Sequence, residues 1–323
     1  MKLNEFLNKV YTLIQKIDYG RDLEKMLKVF TDARGLFVNL DDVTIYLINS
    51  VLKLAVKANQ IRKGKHNKQT LAFVKACIAY AHITIPSLLD DKDQIKLFVQ
   101  NAQVALMNGL ISETDSIIKA IMLILNSKFK NVQDREADEK MTEHVLNIIG
   151  FMVVMPSNPD EYFENTRAIL NLVEKKSWNQ KSVYSRIKIY IGLFNYLCSQ
   201  AQDKLPYNIN RVDSNDTIFL GDEAFISELE TLLMETFDKI VNVMTELNSA
   251  EDRESQAILS KSITAMAACL AQNTNMSPNI NKFISKMIKK AEKSYVKCKR
   301  FISNSFLEKT KKYITKKAKT RQS

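Results

Sequence analysis

Apolar positions recur at helical spacing along almost the whole chain. Leu47, Ile48, Val51, Leu52, Ala55 and Ala58 fall on one stripe by the i, i+3, i+4, i+7 rule. Ile117, Ile118, Ile121, Met122, Ile124 and Leu125 form a wider face, and the longest stripe runs from Phe225 through Leu229, Leu232, Leu233, Phe237, Ile240 and Met244 to Leu247. Boundary residues fit the same pattern. Ser112 with Asp115 three positions on resembles a capping box, Asn158 before Pro159 reads as N-cap then N1, and Pro86 should stop the helix that starts near Lys68. The pattern predicts helices over roughly 3–17, 21–33, 41–62, 68–84, 90–108, 112–127, 135–154, 159–176, 180–201, 222–248, 251–273, 277–303 and 305–318. Long helices joined by short links pack as antiparallel neighbours. About a dozen in one chain predict an all-α fold, an α-solenoid of degenerate HEAT-like helix pairs without a tetratricopeptide or ankyrin signature.

One segment breaks the period. Residues 203–222 hold Pro206, Gly221 and a cluster of Asp and Asn, and a loop of about twenty residues inside such an array is usually functional or disordered. Val212, Ile218, Phe219 and Leu220 are expected to be buried rather than free. The domain reading is a single elongated solenoid over 1–303, interrupted near 203–222, then a lysine-rich tail over 304–323 with partial disorder allowed.

Composition narrows the class. Seven Gly and five Pro in 323 residues are far too few for the tight turns of a sandwich, a barrel or a doubly wound sheet. The formal net charge of +11 is not evenly spread: residues 282–323 carry fifteen Lys or Arg against Glu292 and Glu308, so the rest of the chain is slightly acidic. Cys77, Cys198, Cys269 and Cys298 lie far apart, which predicts buried free thiols in a reducing compartment. The start of the chain reads as no signal peptide, and the longest apolar run, near Ile148–Met155, falls short of the roughly 20 residues of a membrane span.

Catalytic patterns are weak. His66, His82 and His144 form no HExxH or HxH spacing, and Cys77 with His82 does not make a zinc site. Gly64-Lys65 lacks the earlier glycine and the preceding strand of a phosphate loop, so it reads as a basic turn with Gly64 as a left-handed C-cap. Asp213-Ser214-Asn215-Asp216 lacks the glycine and closing glutamate of a calcium loop and reads as an Asx-rich turn. The reading is therefore a non-enzyme with no cofactor, no metal and no catalytic residues. On the tail, Lys286, Lys289, Lys290, Lys293, Lys297 and Arg300 share a helical face opposite Phe283, Met287, Ile288 and Tyr295. That face is either a solvated surface or a contact for anionic lipid, an acidic partner or nucleic acid. No base-reading motif accompanies it.

The stretch from Lys63-Gly64-Lys65-His66-Asn67-Lys68-Gln69-Thr70 through His82-Ile83-Thr84-Ile85-Pro86-Ser87-Leu88 resembles the large α-solenoid subunit of the Retriever complex, a relative of the large subunit of retromer. Gln103-Val104-Ala105-Leu106 is a second match, and Val212-Asp213-Ser214-Asn215-Asp216 followed by Gly221-Asp222 a third, in the same order. The likeness extends more weakly over about 20–270 and corresponds to the family's carboxy-terminal half.

The resemblance implies a non-catalytic scaffold that recycles membrane cargo from endosomes to the cell surface, cytoplasmic and peripheral to the endosomal membrane through its partners. In that family the carboxy-terminal half of the solenoid grips a small metallophosphoesterase-fold subunit, and the amino-terminal half binds an arrestin-like subunit. The assembly joins a coiled-coil regulatory complex and reaches cargo through a sorting nexin adaptor. The matched region supports the metallophosphoesterase-fold partner, with Arg211, Val212, Asp213, Ser214, Asn215, Asp216, Gly221 and Asp222 as the candidate partner-facing residues. The alternative is a membrane-surface or nucleic-acid binder acting through the basic carboxy-terminal segment, although nucleic acid is not among the expected partners.

Overall fold

The computed structural model describes residues 3–205, 207–250, 252–275, 277–299 and 303–319. Its helices are α1 (Leu3–Lys16), α2 (Leu23–Leu36), α3 (Asp41–Arg62), α4 (Lys68–Thr84), α5 (Asp91–Met107), α6 (Ile111–Phe129), α7 (Arg135–Met152), α8 (Glu164–Lys175), α9 (Val183–Gln200), α10 (Asn215–Ile218), α11 (Glu223–Ser249), α12 (Arg253–Asn273), α13 (Pro278–Cys298) and α14 (Ser305–Lys319). Among the described residues no strand forms; the only bridge pairs Asn158 with Glu161. The fold is an all-α solenoid, and its helices fall into two compact units: Met1–Ser127 with Ile209–Asp213, and Lys128–Asn208 with Ser214–Ser323.

In the first unit α3 is the central rod. Val43, Leu47, Ile48, Val51 and Ala55 are fully buried. The stripe faces α2, α4 and α5, where Val74, Cys77 and Ala81 of α4 and Phe98, Ala102 and Leu106 of α5 are also buried. Each large aliphatic side chain buried this way contributes about 1.5–3 kcal/mol. Polar ties fix the helices against one another. Asn101, fully buried, donates to the Ile78 carbonyl at 3.2 Å, Arg34 donates to the Thr84 hydroxyl at 2.8 Å, and the Tyr80 hydroxyl donates to the Phe30 carbonyl at 3.3 Å. Pro86 ends α4 as expected, in a 3-10 turn over Ile85–Ser87. Lys68–Ser87 is long and apolar enough on average to reach a membrane-span threshold, yet it packs against α3 and α5 as a core helix does.

In the second unit α9 is central, packing against α7, α11 and α12, and α12 packs most extensively against α13. Gly192 lets α7 and α9 approach closely: a Cβ there would lie 2.7 Å from Leu146 Cδ2. A buried ion pair anchors the start of α7. Lys176 Nζ sits 2.7 Å from Asp138 Oδ1 with both side chains at 0% exposure, and it donates to the carbonyls of Phe129 and Val132 at 2.8 and 2.7 Å. The backbone N–H of Asn179 donates to Asp138 Oδ2 at 3.0 Å.

Several local expectations are corrected. Ser112 does not cap α6, because the helix already includes Ile111 and Thr114 N donates to the Leu110 carbonyl. Asn158 does not cap α8 either: its side chain closes a turn by accepting from Asp160 N at 3.1 Å, and the helix starts at Glu164 after Phe163, a non-glycine at φ 55. An aromatic cluster holds that turn. Phe163 packs on Phe225 at 4.8 Å, Tyr162 meets Phe219 edge-on at 5.3 Å, and Phe219 stacks on Phe225 at 4.6 Å. The segment 203–222 is not wholly irregular, since it carries α10. Val212 and Phe219 are buried as expected, whereas Ile218 and Leu220 are exposed. The described part of the lysine-rich tail is helical: α14 docks on α12, and Lys317 Nζ donates to the carbonyls of Ala271 and Gln272.

Candidate partner-binding surfaces

Residues that follow α3 and precede α4 build a turn closed by hydrogen bonds at both ends. Past Arg62 the chain enters the left-handed region at Lys63 (φ 49) and Gly64 (φ 70), and Gly64 N donates back to the Asn59 carbonyl at 2.9 Å. Gly64 is thus left-handed as read, sharing the cap with Lys63. Asn67 then starts α4 through a reciprocal box, accepting from Thr70 N at 2.8 Å while Thr70 Oγ1 accepts from Asn67 N at 2.9 Å. His66 Nε2 lies 2.8 Å from Asn108 Oδ1, which also accepts from Asn59 Nδ2 at 3.1 Å. Asn59 thus ties α3 to the end of α5, and His66 ties the link between α3 and α4 to the same Asn108.

Arg211 belongs to the same place. It too is left-handed, at φ 69, and its guanidinium lies against Gly64. A cation is favoured there by the carbonyl end of α3. Asn59, Lys63, Gly64, Asn108, Gly109 and Arg211 line a polar cleft of about 620 Å³ within the first unit. Arg211, the residue just before the third segment of the Retriever likeness at 212–216, therefore meets Gly64 of the first segment at 63–70. A Cβ on Gly64 would push the guanidinium aside, the movable end of a flexible side chain; the left-handed backbone is what favours glycine there.

The other residues of the predicted loop separate into engaged and exposed groups. Val212 is buried, and Asn215 is buried with its side chain accepting from Ser157 N at 2.8 Å and donating to Gln200 Oε1 at 2.8 Å. Asp216 accepts from Leu205 N at 3.1 Å and from the Ser214 hydroxyl. Burial opposes its ionisation, but those donors hold its carboxyl below the usual range. Asp222 caps α11, accepting from Ala224 N and Phe225 N, and receives the Tyr162 hydroxyl at 2.8 Å. The tyrosine hydrogen bond, followed by the Phe225 N–H, lowers its pKa. Gly221 supplies the left-handed step (φ 77) before that cap. Arg211 and Asp213 remain exposed.

A larger surface lies in the second unit, and the sequence reading did not single it out. Helices α7, α9 and α12 line a groove of about 960 Å³. Leu146, Tyr184, Ala257 and Ile258 give it apolar area, and Glu139, Glu143 and Glu254 alternate with Arg135, Lys181, Lys188, Arg253 and Lys261. Lys188 Nζ stands 4.5 Å and Lys261 Nζ 5.5 Å from the centre of the Tyr184 ring. An apolar strip bordered by charges of both signs suits a folded polypeptide better than a small metabolite. The signal was present as 139, 142, 143, 146 and 254, 257, 258, 261, polar and apolar residues mixed at helical spacing.

On α13, Lys286, Lys289, Lys290, Lys293 and Lys297 are all exposed; Arg300 lies outside the described residues. Of the residues expected opposite them, Ile288 is buried, Met287 and Tyr295 are half-buried, and Phe283 is exposed. It sits at the edge of the basic stripe rather than across the helix from it.

His82 meets Phe98 edge-on. Burial pushes the Cys77 thiol up to about 12. Among the described residues no three His, Cys, Asp or Glu side chains converge for a metal.

The family model for the VPS35L C-terminal domain matches residues 4–323. The chain belongs to the VPS35L C-terminal domain family. Among its relatives are proteins named VPS35 endosomal protein-sorting factor-like. That of Danio rerio is 31% identical over 255 residues, covering 77% of this chain and 26% of the relative. That of Homo sapiens is 31% identical over 251 residues, 76% of this chain and 26% of the relative. That of Dictyostelium discoideum is 32% identical over 250 residues, 75% and 25%. The chain thus spans about a quarter of the length of these relatives, in their carboxy-terminal part. A VPS35L C-terminal domain match reaching residue 323 includes the lysine-rich helix α14.

Proposed function

We propose that this chain is the scaffold portion of an endosomal sorting factor, without catalysis of its own, and that its α7–α9–α12 groove receives a small metallophosphoesterase-fold subunit of a Retriever-type complex. The groove carries the reading. It is lined by three helices and offers Tyr184 as a half-buried aromatic anchor between two cations. Family membership supplies the endosomal setting, and cytoplasmic location, peripheral to the endosomal membrane, follows from that role. Arrestin-like and coiled-coil partners would engage through parts of the assembly beyond the matched quarter.

Capture of the purified metallophosphoesterase-fold subunit on immobilised chain tests this. Tyr184→Ala with Lys188→Glu should weaken capture by roughly 30-fold or more, the scale of one lost interface anchor. Arg211→Glu with Asp213→Ala should change it little if the groove is the interface. Loss in the loop variant alone would move the contact to the cleft at Arg211, and no capture by the unmodified chain would remove this partner.

A further inference from the structure

The basic residues of the carboxy-terminal segment are not equivalent once folded. Its two carboxylates are both held by one lysine: Lys311 Nζ lies 2.8 Å from Glu292 Oε1 and 3.1 Å from Glu308 Oε1. Lys317 is turned inward onto the end of α12. The acids are therefore directed to the seam between α13 and α14, and the outer face of α13 keeps its cations uncompensated.

Helix geometry defines that face. Ile284, Ile288, Ala291, Ser294 and Cys298 are buried. At about 100° per residue, Lys282, Lys286, Lys289, Lys290, Lys293 and Lys297 then cluster on the opposite side. All six are exposed, and none forms an ion pair among the described residues. The stripe is about 22 Å long at 1.5 Å per residue. Like charges three and four positions apart repel one another, so the stripe weakens its own helix unless an anion covers it. Large apolar side chains border it on both edges: Phe283 is 47% exposed and Val296 64% exposed, each about 70° from the centre of the stripe.

We propose that the outward face of α13 is a docking surface for an anionic membrane leaflet, with the lysines on lipid headgroups and Phe283 and Val296 entering the headgroup boundary. The apolar borders decide between the two polyanions such a stripe fits. A nucleic acid backbone needs cations alone or aromatic rings on which bases stack, whereas a bilayer interface takes an aromatic and an aliphatic side chain flanking lysines. This surface is separate from the α7–α9–α12 groove and does not depend on any partner held there.

Co-sedimentation of the full chain with vesicles of roughly four parts phosphatidylcholine to one part phosphatidylserine tests the proposal. The chain should pellet with these vesicles, not with phosphatidylcholine alone, and lose the interaction as salt rises. Lys286→Glu, Lys289→Glu, Lys290→Glu and Lys293→Glu together should lower binding by roughly 100-fold or more, since each lysine near such a surface contributes about fivefold. These solvent-facing positions should not lower the melting transition, so lost binding would not reflect unfolding. Phe283→Ser with Val296→Ser should lower vesicle binding several-fold at constant charge. Failure of the chain to pellet, or equal pelleting of the four-lysine variant, overturns the proposal. So does insensitivity to Phe283→Ser and Val296→Ser combined with tighter binding to polyuridylate, which would assign the stripe to nucleic acid.

Discussion

The Asp138–Lys176 pair offers the sharpest test of how this fold positions its groove. Neither side chain reaches solvent: two carbonyls accept from the ammonium, one N–H donates to Oδ2 of the carboxylate, and Oδ1 has the ammonium beside it. The carboxylate also sits in the first turn of α7, where the helix dipole favours it. Asp138→Asn keeps the shape and removes the charge, leaving a buried ammonium with carbonyls and the Trp178 ring but no counter-ion. Breaking such a pair from one side costs about 3–5 kcal/mol. For a unit of some 150–250 residues that lowers the transition by roughly 6–20 °C. The double variant Asp138→Asn, Lys176→Met should recover much of the loss, because it removes both desolvated charges. Differential scanning calorimetry of the unmodified chain, the two single variants Asp138→Asn and Lys176→Met, and the double variant measures the coupling. The pair also sets the groove, since Arg135 and Glu139 flank Asp138 and Lys181 follows Asn179, so Asp138→Asn should weaken partner capture as well. An Asp138→Asn transition within about 2 °C of the unmodified chain would refute the reasoning. A double variant no better than the single would show that packing, not charge, was lost.

Acid should open the loop before α11. Asp222 has a lowered pKa in the folded chain, so its contribution is complete above the unfolded carboxylate value near pH 4 and is lost as pH falls through the folded value. The protection of the Phe225 amide against exchange, taken relative to its intrinsic rate at each pH, should fall only below about pH 4 and show no such fall in Asp222→Ser, which keeps a cap without the charge; a fall already at pH 6 would contradict the cap. Gly64→Ala should cost about 1–2 kcal/mol for its left-handed backbone and also displace Arg211, visible as a shift of the Arg211 guanidinium resonance in NMR; an unmoved guanidinium would remove the contact between the two segments.

What the sequence revealed depended on range. The stripes of α3 and α11 were legible because helical burial repeats within a few residues, and Pro86 stopped α4 because its effect is local. The start of α8 was not legible: Pro159 is a good first helical residue, but Tyr162 and Phe163 are drawn onto Phe219 and Phe225, some sixty residues away, and a turn with a left-handed Phe163 wins over the local preference. The same logic governs function. Arg211 and Asp213 stood out because the loop around them breaks the period, yet much of that loop serves caps and buried hydrogen bonds through Asn215, Asp216 and Asp222. The groove drew no notice because each of its walls reads as an ordinary solvated helix face. Only the packing of α7 and α12 on either side of α9 turns three such faces into one surface, with Gly192 admitting α7 closely enough to bring Leu146 beside α9. Irregular residues in a helical array thus mark where the backbone needs special support, while a binding face arises from regular residues whose neighbours come from distant turns of the chain.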